Sequence, residues 1–100
     1  MSKYGMYVKF TAIAGGRDAL AAILMEAAAG MDGVDGCEIY LVNVSETEPE
    51  TVWVTEVWRD AEAHQASLRA EGASEMIGRA RPLISGVEQI KLSTLGGKGV

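Results

Sequence analysis

The sequence predicts an α+β domain whose elements run β-α-β-β-α-β. Three observations predict it. The chain carries four β-rich runs and two helical stretches, each helical stretch lies between strands, and the second and third strands follow one another across a short polar turn. With 100 residues there is room for one small domain and not for two.

From Tyr4 to Ala14 the residues Tyr7, Val8, Phe10 and Ile13 form a β-rich run that Gly15-Gly16 stops, which makes the first strand. Leu20, Ile23, Leu24, Ala27, Ala28 and Met31 then recur at i, i+3, i+4, i+7, i+8 and i+11, the stripe of a helix packed on one face; Gly30 and Gly33 end it. Cys37 to Val44 is the second β run. The polar stretch Ser45-Glu46-Thr47-Glu48-Pro49-Glu50 turns the chain, and Thr51 to Trp58 resumes the pattern, so these two strands form a hairpin.

Asp60 stands at the N-cap position ahead of Ala61–Leu68, a run of good helix formers with an acid in its first turn. Gly72 breaks this helix. A further helical piece carrying Met76, Ile77 and Ala80 runs to Pro82, whose ring disfavours helix at Arg81. Val87 to Leu95 alternates as a last strand. One domain thus covers residues 1–100, with 1–3 and 96–100 as loose tails and no internal repeat.

This order is the split βαβ pattern of ferredoxin-like domains, an antiparallel four-stranded sheet with both helices on one face. Trp53, Thr55 and Val57 fall on one side of the third strand and Val52, Val54, Glu56 and Trp58 on the other, so both faces of the sheet carry bulky residues. A second copy, sheet against sheet in a dimeric α/β barrel, would cover the face without helices. Small size points the same way, because a thin core gains from an interface.

Charge and cysteine content exclude several classes. Nine Lys plus Arg against 14 Asp plus Glu give a net charge of −5, and the cations are scattered, which argues against nucleic acid or an anionic membrane as partner. The single Cys37 forms no internal disulfide, and no Cys/His spacing suits zinc. No apolar run approaches the roughly 18 residues needed to span a bilayer, and the first residues lack a signal-peptide core; a cytoplasmic protein is expected. Gly96-Gly97-Lys98-Gly99 has neither the spacing nor the following helix of a phosphate loop. Met6, Met25, Met31 and Met76 sit in periodic apolar segments and read as core filling.

One constellation carries possible chemistry. Glu56 and Trp58 are two apart and share a strand face, and His64 arrives on the helix that follows, with Ser67 and Leu68 at i+3 and i+4 on its stripe. A stripe facing the sheet brings a carboxylate, an indole, an imidazole and a hydroxyl together in a concave, mostly apolar site. Each residue also has a plainer reading. His64 can be an exposed or hydrogen-bonded helix residue, Glu56 can pair with Lys9 or an Arg, Trp58 can be core or dimer packing, and Cys37 reads as a small buried hydrophobe.

The segment Glu56–Leu68, with Ala80-Arg81-Pro82-Leu83-Ile84 and the closing Gly96-Gly97-Lys98-Gly99, resembles the antibiotic biosynthesis monooxygenase family, in the branch provisionally named quinol monooxygenases. Lys9-Phe10, Gly16-Arg17-Asp18 and Gly36–Tyr40 look like that branch too, so the resemblance covers nearly the whole chain. It implies a homodimer of ferredoxin-like subunits that oxidises a small aromatic quinol or phenol to a quinone with O2, using no metal or flavin cofactor. In that reading His64 is the base, Trp58 an aromatic wall and Glu56 an orienting or charge-balancing group, while Ser67, Lys9 and Tyr40 contact substrate oxygens. Many relatives have a His near the position of Ser67, whereas here the His lies three residues earlier on the same face. Leu68 and Arg69 occupy the region of the axial His of haem-degrading relatives, which argues against haem. Two other functions stay open: an oxygen-independent isomerase or processing enzyme for a small oxygenated metabolite, and a non-catalytic dimeric binding module.

Overall fold

A computed structural model describes residues 2–100. Strand β1 (Lys3–Ala12) is followed by helix α1 (Arg17–Ala29), a 3-10 turn at Gly30–Gly33, and the strands β2 (Cys37–Val44) and β3 (Thr51–Trp58). Helices α2 (Ala61–Ser67) and α3 (Ala73–Ala80), a 3-10 turn at Arg81–Leu83 and strand β4 (Ile84–Thr94) complete the chain. The strands form one antiparallel sheet in the order β2-β3-β1-β4, and the helices pack on one of its faces. This is the expected ferredoxin-like architecture.

Local chemistry sets most of these boundaries. Asp60 is extended at φ −160° and its Oδ1 accepts from the Ala63 amide at 2.8 Å, which starts α2. Gly72, at φ +88°, takes the left-handed conformation that separates α2 from α3. Pro82 then opens the 3-10 turn, where its missing N–H costs nothing.

Three boundaries differ from the sequence reading. Strand β1 ends at Ala12 because the Ile13 amide leaves the ladder for the Leu83 carbonyl at 2.8 Å. Strand β4 begins at Ile84, three residues before Val87, since Ile84 pairs with Ala12 across a register shift between Thr11 and Ala12 that breaks the period-2 alternation. At the N-terminus, Lys3 belongs to β1 opposite Thr94 and its ammonium meets Glu38 at 2.6 Å, so the tail expected over residues 1–3 does not include Lys3; Met1 lies outside the described residues. Residues 96–100 form no helix or strand.

The core sits between helices and sheet. Met6, Val8 and Ala12 of β1 and Val52 and Val54 of β3 pack with Leu20, Ile23 and Leu24 of α1 and with Ala80 of α3. Each such aliphatic side chain contributes about 1.5–3 kcal/mol by leaving water. The opposite sheet face leaves Tyr7, Leu41, Ile90 and Leu92 between 42% and 55% exposed. Among the described residues no helix is long and apolar enough to cross a membrane.

Candidate active site

Between the helices and the sheet lies a cavity of about 700 Å³. Met6, Val8 and Phe10 of β1 form its floor, and Leu24 of α1 and Met76 of α3 contribute apolar walls. Its polar groups gather where Tyr40, Glu56 and Trp58 of the sheet meet His64 and Ser67 of α2. That volume suits a small aromatic molecule.

The chain reaches this arrangement by local means. Strand alternation points Val52, Val54, Glu56 and Trp58 to the helix side, where all four are buried. The Arg59 amide then donates to the Gly36 carbonyl at 2.8 Å and Asp60 caps α2, so the helix starts directly beside the strand end. Gly36, at φ +85°, lets α2 come close: a Cβ there would stand 2.5 Å from that of Ala63. His64, next to Ala63, is thereby seated over Trp58.

Trp58 Nε1 donates to Glu56 Oε1 at 2.9 Å, and His64 Nε2 lies 3.8 Å from the same oxygen. The latter distance is too long for a hydrogen bond, although catalytic contacts of this kind tighten when a ligand fills the site. The His64 ring meets Trp58 edge-on, with centroids 5.4 Å apart and planes at 68°, and lies tilted against Tyr4 at 5.4 Å. Its Nδ1 is buried without a hydrogen-bond partner.

Both ionisable groups are pushed towards neutrality. Burial raises the pKa of Glu56, and the Trp58 N–H only partly offsets this. Burial lowers that of His64, and the charge of Lys91 lowers it further. The two shifts bring the proton affinities of acid and base towards each other, which favours passing a proton across the short gap between them. Tyr40, directly opposite Glu56 on β2, is held well above the ordinary phenol range by burial, then by Glu56 and Cys37, and so keeps its proton. Cys37 is likewise raised by burial and stays a thiol.

The structure therefore brings together Glu56, Trp58 and His64, with Tyr40 and Ser67 in the same wall. Ser67 spends its hydroxyl hydrogen on the His64 carbonyl at 2.6 Å, which tightens the turn bearing the imidazole. Lys9, expected among them, is not gathered there. It points to the opposite sheet face, where its ammonium pairs with Glu48 at 3.1 Å and lies 5.4 Å from the Trp53 ring centroid. The physical reason is parity: Met6 and Val8 face the helices, so Lys9 cannot. For the same reason Glu56 does not pair with Lys9.

Tyr4 and Gln89 were not anticipated as part of this site. Tyr4 lies opposite Trp58 and Gln89 opposite Val8, placements that require the strand register. Among the described residues, no three His, Cys, Asp or Glu side chains converge as a metal site would need.

Comparison with known proteins adds to this geometry. The sequence model of the antibiotic biosynthesis monooxygenase family matches residues 4–79. A solved structure from Chloroflexus aurantiacus J-10-fl, provisionally named an antibiotic biosynthesis monooxygenase, is 39% identical, with 96% of each chain covered and a TM-score of 0.87. Structures named in the same provisional way from Deinococcus radiodurans and Caulobacter crescentus CB15 share the fold at low identity. The first is 21% identical, covers 94% of each chain and has a TM-score of 0.82. The second is 15% identical, covers 95% of this chain and 92% of its own, and has a TM-score of 0.87. No curated protein matches the chain.

Proposed function

The chain belongs to the antibiotic biosynthesis monooxygenase family, and from that membership we propose that its pocket oxidises a small, electron-rich aromatic quinol or phenol to a quinone with O2, without a bound metal or flavin. The observation that carries the reading is the buried group of Glu56, Trp58 and His64 at one end of a mostly apolar cavity. A neutral, desolvated imidazole beside a carboxyl group is suited to taking a proton from a phenolic oxygen.

The steps balance without a further reductant. His64 takes the hydroxyl proton, the aromatic anion passes one electron to O2, and the radical pair joins at a ring carbon as a peroxide. His64 returns its proton to the distal peroxide oxygen. Loss of the ring C–H proton as the O–O bond breaks then leaves a carbonyl and one water, so substrate and O2 become quinone and H2O. Trp58 forms the aromatic wall, Glu56 holds or shares the proton of His64, and the apolar cavity keeps bulk water from the anion and its radical.

The active unit in this proposal is a homodimer. Tyr7, Leu41, Ile90 and Leu92 support it, because a helix-free sheet face carrying these side chains gains from being covered by a second copy.

Oxygen consumption by metal-stripped protein against a panel of quinols and naphthols tests the reading. His64-dependent uptake with a quinone product is expected. The Glu56–His64 proximity would also serve an oxygen-independent isomerase, which would turn over equally well under nitrogen. Saturable binding with no turnover in either atmosphere would overturn both enzymatic readings.

A further inference from the structure

The proposed chemistry leaves one charge without a partner. Burial makes His64 a weaker base than an ordinary imidazole, while a phenol holds its proton about as tightly as tyrosine, near a pKa of about 10. Proton transfer between them is uphill unless the aromatic anion is stabilised where it forms. The Trp58 N–H is already given to Glu56 and the Ser67 hydroxyl to the His64 carbonyl, and the Tyr40 hydroxyl in the same wall carries no positive charge.

Three cationic residues lie on the strands of the sheet: Lys3, Lys9 and Lys91. Alternation along β1 sends Lys3 and Lys9 to the open face, where they pair with Glu38 and Glu48. Lys91 alone belongs to the helix side. It lies opposite Met6, which forms the cavity floor and in turn lies opposite Glu56. Gln89, two residues earlier on the same face of β4, lines the cavity. Lys91 has no ion-pair partner among the described residues.

Glu56, Met6 and Lys91 thus form a row across three strands. At the usual strand spacing, the backbones of Glu56 and Lys91 are separated by roughly 10 Å across the sheet, room for one aromatic ring lying over Met6 between the two residues. We infer that Lys91 contacts an oxygen of the aromatic anion formed in this pocket and stabilises its charge, with the ring lying between Glu56 and β4. The effect of Lys91 on His64 agrees with this placement, since the ammonium is near enough for its field to reach the imidazole. The inference rests on the pocket being a phenol site. Lys91 then helps to select substrates that ionise there.

A probe that ionises but is too electron-poor to react with O2 separates this inference from the monooxygenase reading. The test is a spectrophotometric titration of 4-nitrophenol at low salt in the presence of wild type, Lys91→Met or Lys91→Arg. Tyr4, Tyr40, Glu56 and His64, the other titratable groups at this end of the cavity, are common to all three proteins. Wild type should lower the bound probe's pKa by about one unit relative to Lys91→Met, a tenfold preference for the anion, and Lys91→Arg should retain it. Equal titrations in wild type and Lys91→Met, or a wild type that does not bind the anion, would overturn the inference even if O2 uptake is found. A Lys91-dependent shift in a protein that consumes no O2 would leave the inference standing and overturn the monooxygenase reading.

Discussion

Trp58 and Glu56, two residues apart on β3, are joined by a 2.9 Å hydrogen bond from the indole N–H to a carboxyl oxygen that is almost wholly buried. This bond explains why the fold tolerates a carboxyl group among Val52, Val54 and Trp58. A neutral donor satisfies one oxygen in either protonation state and does not compensate a full charge. A cation in the same place would lock Glu56 as a carboxylate, whereas the indole leaves it able to gain and lose a proton beside His64.

Glu56 should therefore cost stability at neutral pH. Its folded pKa lies above the ordinary 4.5, so the unfolded chain gives up the proton first. The contribution of the protonated form is whole below about 4.5 and is lost as pH rises from there through the folded value. Glu56→Gln keeps an oxygen for the Trp58 N–H and cannot ionise. Thermal unfolding at pH 8 should show it more stable than wild type by on the order of 1 kcal/mol, or about 4–8 °C, with the gap closing towards pH 4. An equal or lower melting temperature at pH 8 would mean that the ionised carboxylate is well satisfied.

His64 titrates with the opposite consequence. Burial, and then Lys91, hold its folded pKa below the ordinary 6.5, so the unfolded chain takes up the proton first on acidification. Its contribution to stability is whole above about 6.5 and is lost as pH falls through the folded value. The same protonation removes the proposed base. On a quinol that the protein oxidises, kcat/KM should fall on the acid side with a midpoint below 6.5. His64→Ala should lower kcat/KM by about 10²–10⁴-fold. An acid limb retained in His64→Ala would assign the base to another group.

Gly36 and Gly15 make a matched pair of controls for the seating of α2. Both have positive φ, +85° and +76°, but an added Cβ would meet Ala63 at 2.5 Å at Gly36 and nothing within 4 Å at Gly15. Gly15→Ala should cost about 1 kcal/mol for backbone strain alone. Gly36→Ala should cost more, about 2–4 kcal/mol in urea unfolding, and should also weaken activity by displacing the helix that carries His64. Equal costs at the two positions would show that α2 is not held by this contact.

On the open sheet face, Ile90 is 53% exposed and lies opposite Tyr7. Light scattering should give a dimer mass for wild type and a monomer mass for Ile90→Asp, because a charge buried between two apolar sheet faces has no partner. A monomeric wild type, or a dimer indifferent to Ile90→Asp, would place the assembly surface elsewhere.

The order of the elements, the Asp60 cap, the break at Gly72 and the grouping of Glu56, Trp58 and His64 were legible in the chain itself. Each depends on neighbours a few residues apart: a capping side chain, a residue that accepts left-handed backbone, or the two-residue repeat of a strand running into the helix beside it. Lys9 and Lys91 show where that reach ends. Strand parity states which residues share a face, but which face the helices cover follows from packing α1 on Met6, Val8, Val52 and Val54. The pairing of β1 with β3 and β4 then put Lys9 away from the pocket and Tyr4 and Lys91 on its side. The start of β4 at Ile84 has the same origin, since a register shift exists only between two strands. Local sequence thus determined the elements and the grouping of Glu56, Trp58 and His64, while long-range pairing and burial decided which charges meet, because a side chain's surroundings are set by strands distant along the chain.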